Sequence, residues 1–205
     1  MRKKTIWIIL PILLVSLFTG TVLAVSDIYT VQKGDSLWKI AVKYQIGLSE
    51  IIGANPQIKN PDLIYPGDKI TVPNIDEIKA VEAEVIRLTN LERTKNGLPA
   101  LKSNWELSRV ARYKSADMRD NKYFGHTSPV YGGPFQMMSD FGIHYSAAGE
   151  NIAKGYYSAA AVVQGWMNSA GHRANILNAN FTQIGVGLAI DSTGTKYWTQ
   201  MFIRP

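Results

Sequence analysis

The 205-residue chain contains three histidines, His126, His144 and His172, and two of them stand in short glycine-bearing polar motifs. These are Tyr123-Phe124-Gly125-His126-Thr127 and Gly171-His172-Arg173, with Gly149-Glu150-Asn151 between them in sequence. Two imidazoles and a carboxylate brought into one cleft could do acid–base work or ligate a metal. Neutral imidazoles bind Zn2+ at about 2.0–2.1 Å, and a His2Glu set with an open water position is a catalytic arrangement. Glu150 could instead hydrogen-bond an imidazole and fix its tautomer, or join a buried polar network that stiffens its loop. The catalytic candidates are thus His126, Glu150 and His172. The metal candidates are His126 and His172, with Glu150 as a third donor and Zn2+ as the ion. Glycine beside each polar residue places each motif at a tight turn or element end. His144, within Gly142-Ile143-His144-Tyr145, has no motif around it and reads as a surface residue. Arg173 and Asn175 read as ties for their loop. Trp166 reads as core, and the Tyr156-Tyr157 pair could stack on sugars.

Composition removes other chemistries. The chain has no cysteine, which excludes disulfides, a cysteine nucleophile and a thiolate zinc site. No Gly-x-Ser-x-Gly elbow and no His-Glu-x-x-His helix occur, and Glu150 has no carboxylate partner in the motifs for a lysozyme-like acid pair. The formal charge is +6, of which Arg2, Lys3 and Lys4 supply half. The remaining excess suits an anionic cell surface, and without a basic stripe interleaved with aromatics it argues against nucleic acid.

Residues 1–24 read as a signal peptide. Arg2-Lys3-Lys4 form its charged start, Ile6 to Val22 its apolar stretch, and Val22-Leu23-Ala24 its cleavage site. The apolar stretch is near the lower limit of about 17 residues for a membrane span, so an uncleaved anchor is the alternative and the one expected membrane contact. Pro11 and Ala24 favour cleavage. Either way the remainder is expected outside the cytoplasm, secreted and cell-wall associated.

The elements that must position the motifs fall into two groups. In residues 28–73, Ile28 to Gln32 reads as a strand, and Gly34-Asp35-Ser36 as a turn and helix cap. Ser36 to Tyr44 and Leu48 to Ala54 read as short helices, Tyr65-Pro66-Gly67-Asp68 as a turn, and Lys69 to Val72 as a closing strand. This βααβ unit resembles a LysM module through Tyr29-Thr30-Val31, Lys33-Gly34-Asp35-Ser36-Leu37, Ile40-Ala41, Tyr44, Asn55-Pro56, Leu63-Ile64-Tyr65-Pro66-Gly67 and Ile70-Thr71-Val72-Pro73. The resemblance implies binding of N-acetylglucosamine-containing glycan, in bacteria peptidoglycan. The implied groove lies between the loop after the first strand and the loop before the last. Its candidate residues are Gly34, Asp35, Ser36, Leu37, Asn55, Pro56, Ile64 and Tyr65. Asp35 and Ser36 could equally serve as helix caps alone.

Residues 74–79 read as a linker. Beyond it, helices are expected from about Ile75 to Lys95, after the cap Asn104 and from Ser158 to Met167, with Gly132-Gly133-Pro134 breaking the chain before Phe135 to Phe141. Strands are expected at Ile184 to Ile190 and Tyr197 to Phe202. Helices early and strands late make the fold class α+β. Residues 80–205 resemble the CAP (SCP-like) superfamily of cysteine-rich secretory, antigen 5 and pathogenesis-related proteins, in its bacterial branch. The carriers are Asn90-Leu91-Glu92-Arg93, Leu98-Pro99-Ala100-Leu101, His126-Thr127-Ser128-Pro129, Gly149-Glu150-Asn151-Ile152-Ala153, Trp166, Gly171-His172-Arg173-Ala174-Asn175-Ile176-Leu177 and Ile184-Gly185-Val186-Gly187. The resemblance implies an αβα sandwich with a central cleft. Many members hold two histidines and two acids there. His126, Glu150 and His172 match three of those positions, while Ser169 stands where the second acid is expected.

The expectation is an exported wall protein whose LysM module binds peptidoglycan and tethers a CAP domain. The His/Glu cleft of that domain would bind a ligand and could hold a divalent metal. The alternatives are a metal-dependent hydrolase of wall polymer or protein, a structural component of a spore or wall layer, and lipid or sterol binding.

Overall fold

The computed structural model describes residues 26–205, so the expected signal segment lies outside the described residues. In the first unit, β1 (Asp27–Thr30) and β2 (Lys69–Val72) pair antiparallel, with Tyr29 opposite Ile70. Between them run α1 (Leu37–Tyr44) and α2 (Leu48–Ala54). Ser36 starts α1 as a cap, its side chain accepting from the Lys39 amide, and Gln45 ends it in the left-handed region at φ 52°. The small core holds Leu37, Ile40, Ile46, Ile51, Ile70 and Val72. Asn55 braces it from α2 to β2. Its side chain donates to the Ile51 and Thr71 carbonyls and accepts from the Thr71 amide.

The second unit is a three-layer αβα sandwich. Its sheet has the order β3-β5-β6-β4. The strands are β3 (Lys102–Ser103), β4 (Ala147–Lys154), β5 (Gln183–Ile190) and β6 (Lys196–Arg204), antiparallel except for the β3–β5 pair. One face carries α3 (Asp76–Lys95), α6 (Ala159–Met167) and α7 (Ala170–Ile176); the other carries α4 (Trp105–Asp120) and α5 (Pro134–Asp140). The alternation of a strand covered on both faces is plain in β6. Trp198 and Phe202 join the core under α3 and α6, while Met201 and Ile203 join the one under α4 and α5. Gly185 and Gly187 let α4 lie close on β5: a Cβ on Gly187 would come within 2.1 Å of the Ala111–Arg112 backbone.

Two expectations change. Helix α3 begins at Asp76, so it takes up most of the residues read as linker. Gly149-Glu150-Asn151 does not sit at a turn: it lies in mid-strand, in β4, paired with Gln200, Met201 and Phe202. Gly149 is needed there for clearance, because a Cβ would meet the Phe181 ring at 2.8 Å. Gly171 and His172 lie in the first turn of the short helix α7, at an element end as expected.

Candidate functional site

The loop after α4 carries His126 and is held from beneath by that helix. Lys114 is buried in α4 and its Nζ donates to the Tyr123 hydroxyl at 2.9 Å and the His126 carbonyl at 2.8 Å. The Tyr123 hydroxyl in turn donates to Asp117. Burial pulls the Lys114 ammonium below its ordinary pKa, against the opposing pull of Glu150 and Asp117. Nothing in the sequence around Lys114 marks this role.

Strand β4 brings Glu150 behind His126. The imidazole Nδ1–H donates to Glu150 Oε1 at 2.7 Å, with the Glu150 side chain 1% exposed and that of His126 53% exposed. Glu150 Oε2 is buried with no hydrogen-bond partner among the described residues. His172 is tied to the same strand through two asparagines. Asn151 Nδ2 donates to the His172 carbonyl at 3.1 Å, and Asn175 Nδ2 donates to the Glu150 carbonyl at 3.1 Å and Asn151 Oδ1 at 2.9 Å. Asn175 thus ties its loop as expected; Arg173 is exposed. His144 is exposed, as expected, and Trp166 is core, its Nε1–H donating to the Ile152 carbonyl.

His126 and His172 open into one groove of about 460 Å³, with Ser169, Phe124, Tyr156, Lys154 and the edge of Trp166 on its walls. Glu150 is not among the lining residues. The two imidazoles are driven apart in pKa. The hydrogen bond to Glu150 raises His126, whereas burial and the neighbouring His126 lower His172. At neutral pH the groove therefore offers one imidazole biased toward the charged form and one biased toward the neutral form, a division that suits a proton donor beside a proton acceptor. Ser169 stands at the start of α7 and adds a hydroxyl to the wall.

Glu150 Oε1 already accepts from His126, and among the described residues no group of three His, Cys, Asp or Glu stands together to hold an ion. A three-ligand zinc arrangement does not fit. Glu150 instead occupies the tautomer-fixing position behind an imidazole. A larger, open hollow lies past Lys154, lined by Arg119, Asp120 and Asp191 among others. Its carboxylates are already engaged, Asp120 with Arg119 and Asp191 with Thr193 and Thr195.

In the first unit, the Gly67 amide donates to the Val31 carbonyl at 2.9 Å, setting the two expected groove loops side by side. Gly34 turns the first loop at φ +89°, a conformation that favours glycine. Asp35 Oδ2 accepts from the Tyr29 hydroxyl and the Gln32 amide, and those bonds hold its carboxyl below the ordinary range. Leu37 and Asn55 are buried, so their side chains pack and brace the module. Gly34, Pro56 and Tyr65 are exposed and Ile64 half-exposed, with Tyr65 at 58%.

Residues 29–73 match the LysM domain, and residues 86–202 match the family described as CAP, the cysteine-rich secretory protein family. The Bacillus subtilis (strain 168) protein YkwD is 55% identical over 126 residues, which are 62% of this chain and 48% of YkwD. The chain thus spans about half the length of that relative. The spore coat assembly protein ExsA of Bacillus cereus is 55% identical over 47 residues, 23% of this chain and 7% of ExsA. A crystal structure of an extracellular SCP-domain protein from Bacillus anthracis str. Ames superposes with TM-score 0.59 at 36% identity, covering 68% of this chain and 47% of that one. By the match over residues 86–202 the chain belongs to the cysteine-rich secretory protein (CAP) family, and it carries a LysM domain ahead of that region.

Proposed function

We propose that this chain is an exported, wall-associated protein. Its LysM module binds peptidoglycan or another N-acetylglucosamine glycan and tethers the CAP domain, whose groove binds a ligand against His126 and His172. The observation that carries the second half is the groove itself: two imidazoles of opposite protonation bias below exposed Phe124 and Tyr156 rings. Aromatic faces suit the apolar face of a sugar or a peptide side chain, and the imidazoles suit its hydroxyl, amide or carboxylate groups. The tether half rests on the LysM match and on the exposed loop pair around Gly34 and Tyr65.

Sedimentation with insoluble peptidoglycan tests the tether. The protein should pellet, and either deletion of residues 28–73 or Tyr65→Ala should leave it in solution. Pelleting that survives both changes removes the tether. Incubation with muropeptides and with casein tests the groove. Binding of muropeptide without turnover is expected. Turnover that disappears in Glu150→Gln, with the fold intact, would replace the binding reading by the hydrolase. Zinc would meet two imidazoles here, His126 and His172, so its binding should be weak and lost in either His→Ala variant. The likeness to ExsA favours one second reading, a structural component of a spore layer. Fractionation of spores and vegetative walls separates the two: protein confined to the coat fraction would establish the second reading.

A further inference from the structure

A separate cavity of about 170 Å³ opens where the two units meet, with Gln45 from the end of α1, Lys79 and Glu82 from α3, and Trp105, Ser108 and Arg112 from α4 on its walls. Two of these residues form a buried ion pair, Glu82 at 3% exposure and Arg112 at 8%. Glu82 is well supplied: Oε1 accepts from the Leu188 amide at 3.1 Å and Oε2 faces Arg112 Nε at 3.2 Å. Arg112 is not. Its Nη1 lies buried with no acceptor among the described residues, and its Nε has only the ion-pair contact to Glu82, not aligned as a hydrogen bond. A guanidinium nine-tenths buried with idle N–H groups is costly unless something else accepts from it. Lys79 adds a second cation on the same wall. Its Nζ donates to the Tyr44 carbonyl at 2.8 Å and to the exposed Asp76 carboxylate at 3.3 Å. Inside the cavity two cations thus face one carboxylate, with the Trp105 indole as an apolar surface.

We propose that this seam cavity is a binding site for a small monocarboxylate. The carboxylate accepts from Arg112 and is balanced by Lys79, and its short apolar part lies against Trp105. Planar N–H pairs on arginine match carboxylate oxygens geometrically. With Lys79 already paired to the exposed Asp76, one positive charge is left over once Glu82 takes up a proton, which a single negative charge cancels and a dianion would exceed. The volume admits a molecule of a few heavy atoms, such as a short-chain acid or the carboxylate end of a small peptide. Because Gln45 belongs to the LysM module and the rest to the CAP domain, the ligand would also brace the seam.

The same groups set the pH dependence. Burial pushes the Glu82 carboxyl up to about 7, against the opposing pull of Arg112, the Leu188 amide and Lys79. A bound carboxylate repels ionised Glu82, so binding takes up a proton. Affinity should rise as pH falls from 8 to 6, by at most about tenfold per pH unit for one proton.

Calorimetric titration of the purified protein with propionate and with N-acetylglycine, a monoanionic stand-in for a peptide terminus, tests the site at pH 6 and pH 8. We expect one carboxylate per chain, bound several-fold tighter at pH 6. Lys79→Gln should weaken it a few-fold and Arg112→Gln at least about tenfold, the usual cost of losing a charged hydrogen-bond partner. Propionate binding alone assigns a free acid; binding of both admits a peptide terminus. Since Arg112→Gln removes half of a buried pair, a wild-type crystal grown with 2-bromopropionate gives an independent reading. A bromine anomalous peak beside Trp105 supports the site. Only a water on Arg112, or binding unchanged in both variants, overturns it.

Discussion

The LysM module and the CAP domain spend their polar side chains differently. In the module, Asp35 bonds Gln32 and Tyr29, Ser36 bonds Lys39, and Asn55 bonds Ile51 and Thr71. All these partners lie within 16 residues. In the CAP domain the buried bonds run far along the chain: Arg93 to Ile176, Glu82 to Leu188, and Gln200 to Thr89, separated by 83, 106 and 111 residues. A small unit with little core stabilises itself with local caps and braces. The larger one uses buried polar groups to fix where its helices and loops stand on the sheet, and its groove depends on that placement.

Arg93→Ala should have the largest effect. Its guanidinium is fully buried and donates to the carbonyls of Pro99, Ile176, Asn178 and Phe181. Its loss leaves several buried acceptors unpaired, so denaturant unfolding should show the CAP domain weakened by about 3–5 kcal/mol. The residues after α7 should also lose hydrogen-exchange protection while the LysM amides keep theirs. Loss of protection in both units together would show that the long-range bonds couple them.

Asn55→Ala probes the other side of the comparison. It removes three hydrogen bonds at a buried position, two of them tying the end of α2 to β2, an expected cost of about 2–3 kcal/mol. A module of this size without staples has little stability to spare. Calorimetry should therefore show a low-temperature transition for the LysM module, with the CAP transition in place. A single shifted transition would break the picture of two separately stabilised units.

The same contrast explains what could be read from the chain. The module's elements follow local signals, and so do two helix starts: Asn104 caps its helix as expected, and Ser158, read as the first helical residue, is the cap of its own. Strand β4 carried no such signal. Its sequence Ala-Ala-Gly-Glu-Asn-Ile-Ala-Lys is poor in strand formers, and pairing with β6 makes it a strand. The candidate histidines were legible because histidine is rare here and sits in motifs. Lys114 was not, being one cation among Arg109, Arg112 and Arg119 in a helix whose buried face only the tertiary fold defines. Leu37 and Asn55 show that a pattern residue also has a packing role: both are buried, and Asn55 braces α2 against β2.

Glu150→Gln should have the smallest effect on folding and an informative one on the groove. The Glu150 hydrogen bond raises His126, so its contribution to stability is full below the unfolded histidine value and is lost as pH rises through the folded one. His172 has the opposite sign. Burial lowers it, so its protonation costs the fold as pH falls through its folded value. The variant keeps an acceptor but removes the charge. NMR titration should then show the His126 midpoint falling and His172 moving little. With His126 half exposed, solvent screens the pair and the stability change stays small. Equal downward movement of both midpoints would mean that Glu150 acts on the groove as a whole. An unmoved His126 would mean that Glu150 only braces β4, and the opposite protonation bias of the two imidazoles would lose its cause.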